Sequence, residues 1–168
     1  ITKDQFTKYF EYMDKGDLVP DNLIIDMVSN TTQSLQSILL DGFPRTINQA
    51  ISLEEEMDKL GKKIDYVLYF EVPFGKLIDR LSQRISCRNC SKTFSKSDKE
   101  YVCQENCSEQ DLYQREDDKP EAISKRMENY KDLTEPLLKF YESNGLLSKI
   151  NADSSISEVS EEIDKILQ

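Results

Sequence analysis

Apolar residues recur along this chain at two spacings, and their order along it predicts the fold. Phe6, Phe10 and Met13 fall at helical spacing, with Gly16 behind them as a stop. Pro20 suits the first position of a second helix whose inward residues are Leu23, Ile24, Met27 and Val28. The run from Ser37 to Leu40 is short and apolar and ends at Asp41, which predicts a buried strand. Thr46 is placed to cap a helix that buries Ala50, Leu53, Met57 and Leu60 and stops at Gly61. Tyr66 to Val72, YVLYFEV, is rich in aromatic and β-branched residues and predicts a second buried strand. Pro73 then opens a helix with Leu77, Ile78 and Leu81 inward. A helical stretch runs from about Pro120 to Ser143, Leu146 to Ile150 predicts a third strand, and Ser155 with Glu158 forms a capping box before the last helix. Strands alternating with helices predict an α/β fold, a parallel sheet flanked by helices.

Size and charge narrow the ligands. The 168 residues suffice for one core and a small insertion, and no internal repeat breaks them up. There is no apolar run of about eighteen residues and no charged-then-apolar leader, which favours the cytoplasm over a membrane or secretion. A net charge of -10 argues against a nucleic-acid backbone as partner. Lysines number sixteen and arginines only six, so the positions of the arginines carry information. Arg80 and Arg84 are four apart, predicting one face of one helix. Arg115 stands beside Asp117 and Asp118, and Arg126 follows on the next helix. Each alone reads as a solvated or ion-paired surface residue. Four of them bracketing one insertion point instead to a polyphosphate.

That insertion, about Ile85 to Arg115, holds all four cysteines: Cys87 and Cys90 as C-x2-C, Cys103 and Cys107 as C-x3-C. Two close thiolate pairs suit a tetrahedral structural Zn2+ site. The stretch has too few apolar residues for a core of its own, so a metal is a source of order for it. Two disulfides or four free thiols are the alternatives.

The segment LLDGFPRT, Leu39 to Thr46, places a carboxylate, a glycine, a proline and an arginine at the end of an expected strand. In α/β sheets ligands gather at the carboxyl ends of strands. There Asp41 can hold Mg2+, Gly42 lets the backbone approach a ligand, Pro44 stiffens the turn, and Arg45 offers a planar fork to phosphate. An ordinary strand-to-helix turn, with Arg45 paired to a surface carboxylate, reads equally well from the chemistry.

Several of these stretches together resemble one family. DGFPRT followed by Gln49, KGDLVPDNLI from Lys15 to Ile24, DRLSQR, CRNC…CQENC and QREDDKPEAISKRMENY are similar to the adenylate kinases of the long-lid, zinc-bearing bacterial type. The resemblance covers essentially the whole chain. It implies a P-loop nucleoside monophosphate kinase fold and reversible transfer of the γ-phosphoryl of ATP to AMP, giving two ADP, by a cytoplasmic monomer. It implies that residues 1–20 are the remainder of an AMP-binding segment, 21–84 and 116–168 the core, and 85–115 a zinc-bearing lid. By the same resemblance Asp41 orients magnesium through water and Arg45 binds the AMP phosphate. Gln49 reads the adenine edge, with Met13, Val19 and the Gly42 backbone around the same nucleotide. Arg80 lies over the ATP base, Arg84, Arg115 and Arg126 hold phosphates of the transferring group, and Asp117 and Asp118 hinge the lid.

The chain departs from the family in having no G-x-x-x-x-G-K loop. It is therefore expected to start inside the AMP-binding segment of a longer enzyme and, alone, to transfer little phosphate. A UMP- or CMP-type kinase, or an inactive nucleotide- and zinc-binding module, are the alternative readings.

Overall fold

The computed structural model describes Tyr12 and residues 17–32, 35–98, 103 and 107–168. The expected helix through Phe6, Phe10 and Met13, with its stop at Gly16, lies outside these residues. The chain divides into two compact units. One comprises Leu18–Val72 and Glu128–Gln168, and the other includes Pro73–Met127 and Asp17.

The first unit carries the parallel sheet. Helix α1, Asp21–Thr32, begins one residue later than expected, and the Pro20 carbonyl accepts from the Leu23 and Ile24 N–H groups. Helix α2, Ile47–Lys59, starts at Thr46, whose hydroxyl accepts from the Gln49 N–H as the sequence predicts. It buries Ala50, Leu53 and Met57, and just past its end Gly61 turns the chain with a φ of 64° that favours glycine. Strand β1, Val67–Glu71, pairs in parallel with β5, Leu147–Asn151, in register from Val67 opposite Leu147 to Glu71 opposite Asn151. Helix α6, Ile156–Leu167, closes the chain behind the expected Ser155–Glu158 capping box. Ala50 packs with Leu137 and Tyr141 of helix α5, Pro136–Ser143, and Ile64, Val67, Phe140, Leu146 and Leu147 surround them. Burying Leu137 contributes about 2 kcal/mol from transfer out of water.

Three expectations fail here. Ser37 to Leu40 does not form a strand, because nothing among the described residues pairs with it, and Leu39 stands 91% exposed. An apolar run becomes a strand only where a ladder satisfies its backbone. Strand β1 is only half buried, with Phe70 47% exposed. The helical stretch toward Ser143 is interrupted by a π-turn, Tyr130–Thr134, just before Pro136. Proline has no N–H for the preceding turn, and the Glu135 N–H instead reaches back to the Tyr130 carbonyl at 2.8 Å.

The second unit is built on helix α3, Phe74–Gln83, and helix α4, Pro120–Asn129, whose last two residues belong to the first unit. Leu81 of α3 is buried and Leu77 partly so, while Ile78, expected inward, is exposed. Strand β2, Arg84–Cys87, lies between antiparallel partners β3, Thr93–Ser95, and β4, Leu112–Tyr113. Arg84 is therefore not on the helix with Arg80. Its backbone is extended, φ −69° and ψ 133°, because the ladder opposite Ser95 starts there. Among the described residues no helix is long and apolar enough to cross a membrane.

Candidate functional site

In the first unit the residues from Asp41 to Gln49 form a tight corner. Gly42 turns the chain with φ 68°, and the Phe43–Pro44 peptide is cis. The Arg45 Nε donates to the Gly42 carbonyl at 2.6 Å, so the guanidinium lies folded over the glycine. A Cβ at position 42 would sit 3.0 Å from Arg45 Nη2, so glycine serves both the turn and the close approach. Thr134, at the end of the π-turn, donates its hydroxyl to the Arg45 carbonyl at 2.9 Å. Gln49 is 3% exposed. Its Oε1 accepts from the Arg45 N–H at 2.7 Å, and its Nε2 donates to Asp21 Oδ1 at 2.7 Å. The Thr46 hydroxyl donates to the other oxygen of Asp21 at 3.2 Å. Asp41 is exposed, Val19 partly buried, and Met13 lies outside the described residues.

The second unit gathers three arginines on two neighbouring aspartates. A one-turn 3-10 helix, Glu116–Asp118, sets the two carboxylates side by side. Arg84 Nε and Nη2 grip Asp118 with two hydrogen bonds of 2.7 Å, and Asp118 is fully buried. Arg115 grips Asp117 in the same forked manner at 2.8 and 2.9 Å. Arg126 Nη1 donates to Asp117 Oδ2 at 2.9 Å and lies 3.6 Å from Asp118. Gln114 ties the Asp118 carbonyl to that of Ser82 through its Nε2, at 3.2 Å each. Burial lowers the Arg126 pKa, Asp117 opposes it, and the Arg84 and Arg115 charges add to the lowering. Burial also works against the Arg115 charge, yet Asp117 outweighs it and the pKa rises. The neighbouring cations are thus felt at Arg126, whereas at Arg115 the aspartates dominate.

Arg80 and Arg84, though on different elements, line one cleft of about 280 Å3 together with Thr93, Phe94, Ser95 and Asp98. Phe94 offers an aromatic ring and Asp98 a carboxylate that caps the turn through the Ser95 N–H at 2.8 Å.

The cysteines converge as expected. The sulfur atoms of Cys87, Cys90, Cys103 and Cys107 all lie within 4.8 Å of one another. Zinc–sulfur bonds of about 2.3 Å place tetrahedral sulfurs about 3.8 Å apart, so the donor set fits one zinc. A tight turn presents the first pair: the Ser91 N–H reaches the Cys87 carbonyl, and the Cys87 N–H reaches that of Lys92. The Cys103 thiol is pushed up to about 12, first by burial and then by hydrogen bonds to Cys87 and Cys90. Cys107 is raised for the same reasons, with Cys90 ahead of Cys87. A bound dication would reverse that, since metal ligation requires thiolates. Arg88, inside the first cysteine pair, stacks 4.4 Å over the Tyr113 ring and stiffens the turn.

Arg45, Arg80, Arg84, Arg115 and Arg126, the cysteines and Gly42 were singled out by their chemistry and Gln49 by the family resemblance, whereas Asp21, Thr134 and Gln114 were not singled out at all. Asp21 directly after Pro20 reads as an ordinary acidic first-turn residue. Only its place in the fold makes it a partner of Gln49.

The family model for adenylate kinase matches residues 4–146. Among curated relatives, an adenylate kinase of Caldicellulosiruptor saccharolyticus is 44% identical over 164 residues, covering 94% of this chain and 75% of the relative. Adenylate kinases of Desulforamulus reducens, 42% identical over 91% of this chain and 74% of the relative, and of Methanosarcina barkeri, 42% identical over 94% and 75%, are similar too. With its corner at Gly42, its arginine–aspartate cluster and its four converging cysteines, the chain belongs to the adenylate kinase family.

Proposed function

We propose that this protein's reaction is the reversible transfer of the γ-phosphoryl group of ATP to AMP, giving two ADP. Phosphoryl transfer asks for in-line placement and neutralisation of spread negative charge more than for a covalent nucleophile. A chain with no histidine, whose cysteines all belong to one cluster, suits that demand. The observation that carries the reading is the meeting of Arg84, Arg115 and Arg126 at Asp117 and Asp118. Arg84 and Arg115 each spend two N–H groups on a carboxylate, which fixes the plane of each fork. The N–H groups that remain are the donors that phosphates of the transferring group take in this reading.

At the corner, Arg45 holds the AMP phosphate and Gln49 reads the adenine edge, with Met13, Val19 and the Gly42 backbone bordering the same nucleotide. Asp41 orients magnesium through water, and that ion supplies neutralisation of the ATP phosphates when bound. Arg80 lies over the ATP base at the cleft. Zinc held by Cys87, Cys90, Cys103 and Cys107 keeps the insertion rigid. Residues 85–115 act as a lid that moves on hinges at Asp117 and Asp118 and excludes water when closed. Residues 1–20 belong to the AMP-binding segment, and 21–84 with 116–168 form the core. The protein works as a cytoplasmic monomer with nucleotides, and no nucleic acid or membrane, as partners. A coupled assay of ADP formation from ATP with AMP, UMP, CMP or GMP tests the proposal. AMP is expected to be the preferred acceptor, and faster turnover of UMP or CMP would overturn it.

A further inference from the structure

An amide side chain carries a carbonyl on one side and an NH2 on the other, and on its own it can present either to a ligand. Around Gln49 that freedom is removed by two neighbours whose chemistry is single-valued. The Arg45 backbone N–H can only donate, and it meets Oε1 at 2.7 Å. The Asp21 carboxylate can only accept, and it meets Nε2 at 2.7 Å. Asp21 is itself held by the Thr46 hydroxyl at 3.2 Å, and Thr46 is fixed as the cap of α2 by the Gln49 N–H at 3.1 Å. The loop of contacts is therefore closed on itself. With Gln49 only 3% exposed, a flipped amide has no water to turn to. It would set N–H against N–H and carbonyl against carboxylate.

We infer that Asp21 is the positioning residue that sets base specificity at the monophosphate site, by locking the polarity of the Gln49 amide. This rests on the assignment of Gln49 to the adenine edge made above. After its two contacts, Nε2 keeps one hydrogen and Oε1 keeps one lone pair. Adenine offers an amino donor next to a ring-nitrogen acceptor, which is the complement of that pair. Hypoxanthine has a carbonyl in place of the amino group. It meets the locked carbonyl of Gln49 with an acceptor and can be accommodated only if the amide turns over. Asp21 forbids the turn.

The test is calorimetric titration of the protein with AMP and with IMP, as found and as Asp21→Asn and Asp21→Glu. Asparagine can present oxygen or NH2 and so can follow a flip, whereas glutamate remains an acceptor only. The unaltered protein should favour AMP, Asp21→Asn should narrow the AMP-to-IMP ratio by about tenfold or more, and Asp21→Glu should keep most of it. In turnover, the loss in Asp21→Asn should appear in KM for AMP more than in kcat. A second readout needs neither ligand nor turnover: the side-chain NH2 resonances of Gln49 should be sharp and slow to exchange, and should broaden or double in Asp21→Asn. An AMP-to-IMP ratio unchanged by Asp21→Asn overturns the inference, as does a rapidly exchanging Gln49 amide in the unaltered protein should the asparagine variant not fold. AMP and IMP bound alike by the unaltered protein would refute this inference while leaving phosphoryl transfer standing. Failure to bind either would remove the proposed function as well.

Discussion

Replacing Asp118 by alanine tests whether the arginine cluster is held by its aspartates. Asp118 is fully buried and receives two hydrogen bonds of 2.7 Å from Arg84, with Arg126 3.6 Å away. Removing one partner of a buried ion pair costs about 3–5 kcal/mol, because the remaining charge is left uncompensated. Here the partners are not sealed in, since the side chains of Arg84 and Arg126 are 25% and 28% exposed. Water can therefore take over part of their solvation, and the expected loss falls to about 2–4 kcal/mol. For a chain of this size that is a fall in Tm of roughly 4–16 °C. The chain has no tryptophan, so urea unfolding is best followed by circular dichroism or tyrosine emission. Arg84→Ala should cost much less in the Asp118→Ala background than alone, with a coupling of about 1 kcal/mol or more. Lys119→Ala, which removes only an exposed pair with Glu116, should change stability by less than about 0.5 kcal/mol. A loss below about 1 kcal/mol for Asp118→Ala, or simple additivity with Arg84→Ala, would refute the argument that the pair is structural.

Arg45→Lys keeps the charge and loses the fork, and should lower kcat/KM by about 30- to 1000-fold, or 2–4 kcal/mol; retention of half the activity would remove the phosphate role. Gly42→Ala forces a side chain into a left-handed backbone and against Arg45 Nη2, and should cost about 1–2 kcal/mol in denaturant titration while raising KM for AMP. Elemental analysis of protein purified without added metal should find about one zinc per chain, and Cys87→Ser should release it; four freely titrating thiols in metal-free protein would exclude the site. Tyr141 is buried with no partner for its hydroxyl among the described residues, and burial, then the Glu54 charge, push its pKa up to about 12. Its neutral form is favoured in the folded state, so it contributes stability that is lost as pH rises from its ordinary value of 10.0 through about 12. Tyr141→Phe should leave Tm unchanged or raise it near neutral pH and should flatten that alkaline loss; a clear drop in Tm at neutral pH would mean the hydroxyl has a partner.

Signals written within a few residues were legible in the sequence. Thr46 as a cap, Gly61, the β-rich run from Tyr66 to Val72, Ser155 with Glu158 and the close spacing within each cysteine pair all act through their immediate neighbours. Features set by distant residues were not. Whether Ser37 to Leu40 becomes a strand depends on a partner that its own apolar character cannot supply. Arg84 leaves helical geometry because Ser95, eleven positions on, starts a ladder opposite it. The residue types of the site could be read, since arginine is scarce enough to be conspicuous. Their partners could not: Arg126 meets Asp117 only because a 3-10 turn aims both carboxylates inward.

The π-turn at Tyr130–Thr134 gives this stretch one residue to spare. Each residue of an α-helix advances the direction of its side chains by about 100°, so four of them turn it by about 400°. Here the Glu135 N–H reaches the Tyr130 carbonyl five residues back, so five residues cover nearly the same rotation. Deleting one residue inside the turn would therefore restore a regular helix with everything after it facing much as before. Tyr130 exchanges a hydrogen bond of 2.7 Å with the Tyr69 hydroxyl, while Thr134 reaches the Arg45 carbonyl and Leu137 and Tyr141 fill the core. A second deletion would rotate the later contacts by about 100° away from the first. Homologous chains that share both sets of contacts can therefore differ by the one residue of this bulge, and by no more.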